Sequence, residues 1–446
     1  MSKNLNLSAL TALVLSSMLG AGIFSLPQNM AEIASPAALL IAWGITGCGV
    51  MLLALTLLLL SRLKPHLDGG IFIYAQAGFG KFIGFCSAWG YWLCAVIANA
   101  SYLVIVCSSI SFFIDSPNHI IFGNGNTWQA ILAASFLLWL IHSLVLQGIR
   151  TAASINLIAT LAKLVPLGLF IILAISAFKY HCFCFDFTGL SLQKSLSQQV
   201  KDTMLITLWV FIGIEGAVVM SSHARNKHDI GRATMFAVLI ALVIYLLVSL
   251  LSLGVIPREE LAKMQNPAMA GIMNHLLGSW GSIIIITGLI LSVCGAYLSW
   301  TIMASEVPVI AAQHDLCPVR ALATQNSPKA SKLSLSLTNI CVQLALILIW
   351  LTHCNYNTLL SIASEMILMP YLLVSAYLFK VSRELHKPFI TLISIGSGAY
   401  GTWLIYASGI LNLLLSMMLY IPGVLIFIIT KKLKKYSNFD PNKQSK

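Results

Sequence analysis

Long apolar runs, separated by short polar segments, extend along almost the whole chain. A transmembrane α-helix needs about 20 mainly apolar residues, and twelve runs reach that length. They lie at 8–33, 37–61, 85–114, 128–147, 153–178, 203–222, 233–256, 283–307, 333–352, 356–379, 389–408 and 410–430. The pattern predicts an all-α membrane protein with about twelve transmembrane helices.

Composition narrows the class of protein further. Of the 446 residues, 58% are hydrophobic and only 9% are charged, and the mean hydropathy is +0.89. A soluble domain is about 45–50% apolar and about 25% charged. A soluble enzyme, a disordered chain and a nucleic-acid-binding protein are therefore excluded. We expect no secretory signal peptide, because the first apolar run is longer than the core of one.

The basic residues predict the orientation in the membrane. With the N-terminus inside, 20 of the 26 lysines and arginines fall in inner segments and five in outer segments, while Lys163 lies within a span. Because cytoplasmic loops carry such an excess, we expect both termini in the cytoplasm of a bacterial inner membrane. Basic loops facing anionic lipid account for the net charge of +12, so no polyanionic partner is needed.

Two spans contain residues that weaken a helix near mid-membrane. Span one has Gly20-Ala21-Gly22 followed by Pro27, and span six has Gly213 and Gly216 on either side of Glu215. Close packing of helices through small residues would explain one such glycine pair. Two interruptions five spans apart favour a transporter, in which paired broken helices mark a midplane binding site.

This spacing also predicts the domain organisation. Five spans per repeat is an odd number, so the second repeat must be inverted relative to the first. We predict a first repeat at 1–180, a second at 181–380, and two further spans with a basic cytoplasmic tail at 381–446.

A broken helix presents unpaired backbone groups inside the membrane. Free N–H groups begin one half-helix and free carbonyls end the other. The first attract a carboxylate and the second an ammonium. A zwitterionic amino acid therefore suits the predicted site.

Charged side chains at membrane depth are rare and usually functional. Glu215 is predicted to be a protonatable gate or part of a cation pathway, or else a buried carboxyl held by backbone donors. Lys163 would replace a coupling sodium by donating to unwound carbonyls, or else pair with an acid. Glu306 is expected to cap span eight at the inner face, and Glu365 to face the outer vestibule.

Other signals do not indicate a metal, a cofactor or an enzyme. Most of the ten cysteines lie in apolar runs and are interpreted as packing residues, and Cys182 and Cys184 are too close together for a disulfide. The G-x-G-x-x-G at 396–401 falls inside span eleven without the strand–helix context of a dinucleotide site. No catalytic cluster is visible.

Four segments carry a family resemblance. They are 17–31, 68–80, 207–226 and 295–301. Together they resemble the amino acid–polyamine–organocation superfamily, and within it the basic amino acid/polyamine antiporters, in particular arginine/ornithine exchangers. The resemblance implies a LeuT-like fold with a five-plus-five inverted repeat, alternating access, and exchange of amino acids and amines.

The resemblance also implies where a substrate would lie. Its carboxylate would meet backbone amides, and its α-ammonium would meet backbone carbonyls. The amides are those around Ala21, Gly22 and Ile23, and the carbonyls are those of Met18, Trp209 and Ile212. The family often has a serine where this chain has Ala21, so a hydroxyl contact is lost there.

Side chains complete the implied site. Trp300 would stack on a guanidinium or ammonium group, Asn99 would hydrogen-bond the far end of the substrate, and Cys94 and Ser364 would line the pocket. The implied gates and the coupling residue are Tyr91, Glu215 and Tyr371 on the inner side, Trp209 on the outer side, and Lys163 in the sodium-like position.

We therefore predict an inner-membrane antiporter that exchanges arginine for ornithine. Arginine/agmatine exchange, lysine/cadaverine exchange and proton-coupled import are the alternatives. The expected partners are small amino acids or amines and the lipid bilayer, and a homodimer is compatible with the sequence. The residues cannot rank arginine, lysine and ornithine, because stacking on Trp300 accepts any long cationic side chain.

Overall fold

The computed structural model describes residues 6–67, 69–116, 118–147, 149–221, 224–314, 316, 328–354 and 356–437. Within these ranges the chain forms helices and connecting segments, and no β-strand. Some residues of the sequence argument lie outside them. These are Lys3, Arg320, Lys443 and Lys446 of the charge distribution, and Asp68 and 222–223 of the quoted motifs.

The helices follow one another with short connections. In chain order they are α1 Leu7–Met18, α2 Gly22–Ile33, α3 Pro36–Leu63, α4 Ile71–Phe79, α5 Lys81–Ile114, α6 Trp128–Leu146, α7 Ile149–Ser176, α8 Tyr180–Cys184, α9 Leu196–Trp209, α10 Gly216–Val219, α11 His228–Val255, α12 Arg258–Ala262, α13 Ala268–Leu277, α14 Ser279–Gln313, α15 Pro328–Thr352, α16 Tyr356–Glu384, α17 Pro388–Ser408 and α18 Ile410–Ser437.

The predicted all-α membrane fold is confirmed. Ten helical stretches of the described residues are long and apolar enough to cross a membrane, with α1 and α2 forming one of them. The predicted fifth span corresponds to α7, and the sixth is divided between α9 and α10. The sixth begins at Leu196 rather than at 203, because Ser195 caps a polar first turn that hydropathy does not detect.

Short helices occupy segments that the hydropathy pattern leaves as loops. They are α4, α8, α12 and α13, each too short to cross a bilayer. Helices α12 and α13 pack against α2, and α13 also packs against α14. The segment after span seven is therefore a helical cover over α2, the second half-helix of the first span.

A buried ion pair fixes this cover. Arg258, at the start of α12, lies 3.0 Å from the carboxylate of Asp186, and its guanidinium also donates to Ser191 and to the carbonyl of Ala31 at 3.0 Å. Burial alone would raise the pKa of Asp186, but hydrogen bonds from Ser191 and Arg258 and the charge of Arg258 outweigh it and lower that pKa. The C-terminal end of α2 is thus held by charged hydrogen bonds.

The exposed helices differ from the central ones. In α18 only 11% of the apolar window is buried, against 78% in α5 and 72% in the stretch formed by α1 and α2. In a membrane, exposed apolar surface of this kind faces lipid. The structure therefore places α1, α2 and α5 at the centre of the bundle.

Candidate functional site

The first helix break spans residues 19–21. Helix α1 ends at Met18 and α2 begins at Gly22, where no side chain caps the first amides. A Cβ on Gly22 would lie 3.1 Å from the indole nitrogen of Trp209, so only glycine allows the end of α9 to approach this closely. The N-terminus of α2 is therefore a buried, uncapped cluster of backbone donors of the kind that binds a carboxylate.

The last three carbonyls of α1 accept hydrogen bonds from other helices. The last four carbonyls of a helix have no partner within it. Here the carbonyl of Ser16 accepts from Lys163 at 3.1 Å, and that of Ser17 accepts from the Trp300 indole at 3.1 Å. The next carbonyl, of Met18, accepts from Tyr245 at 2.8 Å.

The carbonyl of Leu19 completes this set. It accepts from Lys163 at 2.8 Å and from Ser292 at 2.9 Å. Helices α7, α11 and α14 thus each supply a donor to the unwound end of α1, which fixes the break in place.

Lys163 lies in α7, fully buried, and its ammonium is aimed at the first break. Besides the two carbonyls, its Nζ donates to the Ser16 hydroxyl at 3.1 Å. None of the ion pairs found among the described residues includes Lys163. The Lys163 Nζ is thus hydrogen-bonded to three oxygens at the end of the first half-helix.

The second break spans residues 210–215 and touches the first. Tight turns replace the helix, with the amide of Phe211 donating to Leu208 at 2.9 Å and that of Gly216 to Gly213 at 2.9 Å. Gly213 has φ +111°, and its carbonyl accepts from the Ser17 hydroxyl at 3.2 Å. The two interrupted helices therefore meet through Ser17 and Gly213.

Tyr245 joins the two breaks and was missed by sequence reasoning. Its hydroxyl lies 2.8 Å from the carbonyl of Met18 and 2.6 Å from that of Val210. The available signal was a tyrosine deep inside span seven, since a buried phenol needs a hydrogen-bond partner. The sequence could not indicate which groups provide it.

Glu215 lies at the end of the second break with its carboxyl fully buried. The Tyr371 hydroxyl donates to its Oε2 at 2.5 Å, whereas Oε1 has no hydrogen-bond partner in the part of the chain that the structure describes. Tyr91 and Cys94 of α5 also interact with this carboxyl. The predicted inner gate residues are therefore brought together, and Cys94 lies beside them.

The two predicted tryptophans flank the breaks. Trp209 packs against Tyr102, with ring centroids 6.3 Å apart, and Trp300 packs against Tyr91 at 6.4 Å. Neither indole is more than 5% exposed. Both aromatic faces thus belong to the closed interior and not to a lipid interface.

Asn99 is buried in α5 with an unusual feature. Neither its Oδ1 nor its Nδ2 has a hydrogen-bond partner among the described residues. An unpaired buried amide costs free energy unless another group satisfies it. Asn99 is therefore suited to hydrogen-bond a bound molecule, as the resemblance implies.

Ser364 and Glu365, both in span ten, make different contacts from the residues at the helix breaks. The Ser364 hydroxyl donates to the Leu360 carbonyl of its own helix at 2.8 Å and lies 3.5 Å from that of Leu205. Glu365, 6% exposed, interacts with Asn412 of α18. Its carboxyl therefore lies beside the last helix, and its exposure to an outer vestibule stays a prediction.

The predicted site residues are all buried. None of their side chains is more than 5% exposed. Ala21 lies in the first break and Ile212 in the second, and Ile23 lies in the first turn of α2. Among the described residues, no group of three or more His, Cys, Asp or Glu side chains could hold a metal ion.

This chain is similar to known proteins over almost its whole length. The profile of a family described as amino acid permease matches residues 5–439. A protein of Escherichia coli strain K12 named "Putative arginine/ornithine antiporter" is 64% identical over 98% of this chain and 94% of its own length. Both comparisons cover almost the whole chain.

More distant relatives carry related names. An arginine/ornithine antiporter of Pseudomonas aeruginosa is 44% identical over 96% of this chain and 91% of its own. An arginine/agmatine antiporter of Chlamydia pneumoniae is 41% identical over 97% of this chain and 91% of its own. Among solved structures, a Na⁺-coupled sialic acid symporter aligns with TM-score 0.54 and 13% identity, over 91% of this chain and 90% of that one, which shows a shared fold.

Proposed function

This chain belongs to the amino acid permease family, and from that premise we propose that it exchanges arginine for ornithine across a bacterial inner membrane. The observation that carries the proposal is the buried, uncapped N-terminus of α2, which packs at Gly22 against Trp209 and Val210 at the second helix break. This pairs a carboxylate-binding group with ammonium-binding groups. The names of relatives that are 64% and 44% identical specify the two amino acids.

The residues present can be assigned to parts of the substrate. The amides of Gly22 and Ile23 would bind the carboxylate, and carbonyls of the breaks, including those of Met18 and Ile212, would bind the α-ammonium. The Trp300 face would stack on the cationic end, worth up to about 2 kcal/mol when it is desolvated. Asn99 would satisfy its unpaired amide on the same end.

Exchange follows from a centre that opens to one face at a time. Tyr371 and Glu215 would close the inner face, and Trp209 would close the outer one. A bound amino acid shifts the equilibrium between the two open states only through contacts that differ between those states. Obligatory coupling of import to export then makes exchange independent of an ion gradient.

Lys163 supports this independence. Its ammonium occupies the space between the carbonyls of Ser16 and Leu19 without an external cation. A fixed internal cation there would provide the positive charge that a sodium-coupled transporter takes from solution. We assign Lys163 to the coupling machinery rather than to an ion pair, since no acid lies within ion-pair distance among the described residues.

The domain organisation and the orientation belong to the same proposal. Repeats at 1–180 and 181–380 would place the breaks of α1–α2 and α9–α10 at equivalent positions. Both termini would face the cytoplasm, together with the basic side chains of Arg62, Lys64, Arg225 and Arg232. A homodimer remains compatible with the exposed apolar face of α18.

Counterflow will test exchange directly. Proteoliposomes loaded with ornithine are expected to take up radiolabelled arginine several times faster than empty vesicles, because the empty protein would not return without a substrate. Parallel vesicles contain agmatine or cadaverine. Equal uptake into empty vesicles would contradict obligatory exchange, and faster uptake into agmatine-loaded than ornithine-loaded vesicles would favour the activity named in the Chlamydia relative.

Glu215→Gln is expected to make the exchange rate nearly independent of pH between acidic and neutral conditions. The amide cannot ionise, whereas the wild-type carboxyl can change its charge beside Tyr371, Tyr91 and Cys94. Rate against pH in counterflow is the measurement. Glu32→Gln, on the outer part of α2, is the control and should keep the wild-type profile; an unchanged profile in Glu215→Gln would remove that carboxyl from proton coupling.

A further inference from the structure

We propose that Ser25 is a further substrate-binding residue, whose hydroxyl donates a hydrogen bond to the α-carboxylate of the bound amino acid. Ser25 is in α2, directly after the first turn that holds the uncapped amides of Gly22 and Ile23. The inference rests on the proposed function, because those amides are assigned to the same carboxylate. It adds a side-chain donor to a group of backbone donors.

The Ser25 hydroxyl is buried and unsatisfied. The residue is 0% exposed, and its Oγ has no hydrogen-bond partner among the described residues. A helical serine can donate to a carbonyl three or four residues earlier, as Ser109 does to Ile105 at 2.6 Å. Ser25 makes no such bond to Gly22 or Ala21. Because an unpaired buried hydroxyl costs free energy, Ser25 is suited to bind a molecule that enters the site.

The position of Ser25 on α2 directs its side chain towards the first break. Residues four apart share a helix face, and each Cα–Cβ bond tilts towards the N-terminus. Ser25 therefore lies on the face of Ala21, and its hydroxyl is directed back over the first turn. Gly22, three residues earlier on the same side, faces Trp209 and Val210. The hydroxyl thus lies on the side of α2 that faces the second break.

A donor at this position suits a carboxylate. A helix N-terminus attracts negative charge, and no side chain caps the amides of α2. A carboxylate has about four acceptor positions, so two amides leave room for the Ser25 hydroxyl. If the hydroxyl instead accepted from the α-ammonium, it would place a positive charge beside the positive end of the helix dipole, which is unfavourable.

The hydroxyl would favour amino acids over the corresponding amines. A site built to hydrogen-bond one group of a substrate discriminates against an analogue that lacks the group, because the buried partner is then left unpaired. Agmatine has the guanidinium of arginine but no carboxylate. With agmatine bound, the Ser25 hydroxyl would remain as unsatisfied as it is in the empty protein.

The test compares Ser25→Ala with wild type by equilibrium binding of arginine and agmatine. We expect the Kd for arginine to rise about tenfold or more, the range for a net hydrogen bond to a charged group. The Kd for agmatine should stay nearly the same. The thermal midpoint of the empty protein should not fall, because the variant removes an unpaired buried hydroxyl. Ser109→Ala is the matched control, a buried serine of α5 that should leave both Kd values unchanged.

The outcomes separate the two proposals. An unchanged Kd for arginine in Ser25→Ala, an equal rise for agmatine, or a lower thermal midpoint of the empty variant would overturn the inference and leave exchange standing. Wild-type protein that binds neither arginine nor ornithine would overturn the proposed function and this inference together. If Ser25→Ala does not fold, Ser25→Cys replaces the hydroxyl with a weak S–H donor and has the same expected shift.

Discussion

Replacing Lys163 with methionine is expected to lower the exchange rate by about tenfold or more, since the bonds from its ammonium to buried carbonyls, each worth roughly 1.5–3 kcal/mol, hold the first break in place. Methionine keeps the length and apolar stem of the side chain but removes three donors. The carbonyl of Ser16 loses its bond at 3.1 Å, and that of Leu19 keeps only Ser292. The first break would lose the charge that orients its carbonyls.

Counterflow in proteoliposomes measures the effect, with the amount of inserted protein determined for each variant. Lys201→Met is the matched control, because Lys201 lies on α9 and its ammonium sits 4.5 Å from the Tyr406 ring, away from both breaks. The control should exchange at nearly the wild-type rate. A Lys163→Met variant that is correctly folded and equally active would show that the ammonium is dispensable.

Gly213→Ala is expected to reduce exchange by a similar factor and to lower the thermal midpoint. The backbone at this residue has φ +111°, a conformation that costs an ordinary residue about 1–3 kcal/mol. An added Cβ would also lie 2.6 Å from the Ser17 hydroxyl and 2.9 Å from the Ser17 Cβ. The two breaks would have to separate, and the carbonyls that converge between them would diverge.

Gly168→Ala provides the control for a glycine substitution. Gly168 lies within α7, and an added Cβ would meet no described atom within 4 Å apart from its chain neighbours and the adjacent backbone of its own helix. Alanine there should be neutral or stabilising by roughly 0.5–1 kcal/mol. The double variant S17G/G213A should recover part of the loss, since the clash is with the Ser17 side chain; no recovery would show that backbone strain alone is responsible.

The helices were largely predictable from the sequence. Apolar runs of bilayer length gave ten of the spans to within a few residues, because transfer of side chains into hydrocarbon is a local, additive property. The hydropathy pattern did not predict the polar first turn of α9, which is stabilised by the Ser195 cap. It also did not predict the short helices α12 and α13, which pack on α2.

The positions of the helix breaks were also indicated in advance. Glycine weakens the interior of a helix. Gly20 and Gly213 lie inside the two breaks, and Gly22 and Gly216 begin α2 and α10. Glu215 and Lys163 stood out as charges in apolar runs. The sequence alone did not give the orientation of these charges, so an acid partner for Lys163 remained an open alternative.

Only the tertiary structure decided which donor meets which carbonyl. Four donors lie more than 140 residues from the carbonyls that they satisfy at the first break: Lys163, Tyr245, Ser292 and Trp300. Hydrogen bonds need oxygen and donor within about 3 Å, a distance that depends on how α7, α11 and α14 pack around α1. Composition and periodicity determined that a membrane-embedded bundle with two interrupted helices would form. The packing of distant helices decided that Tyr245 joins the two breaks. The reason is that hydropathy is a local property of the chain, whereas a hydrogen bond between helices depends on how they pack.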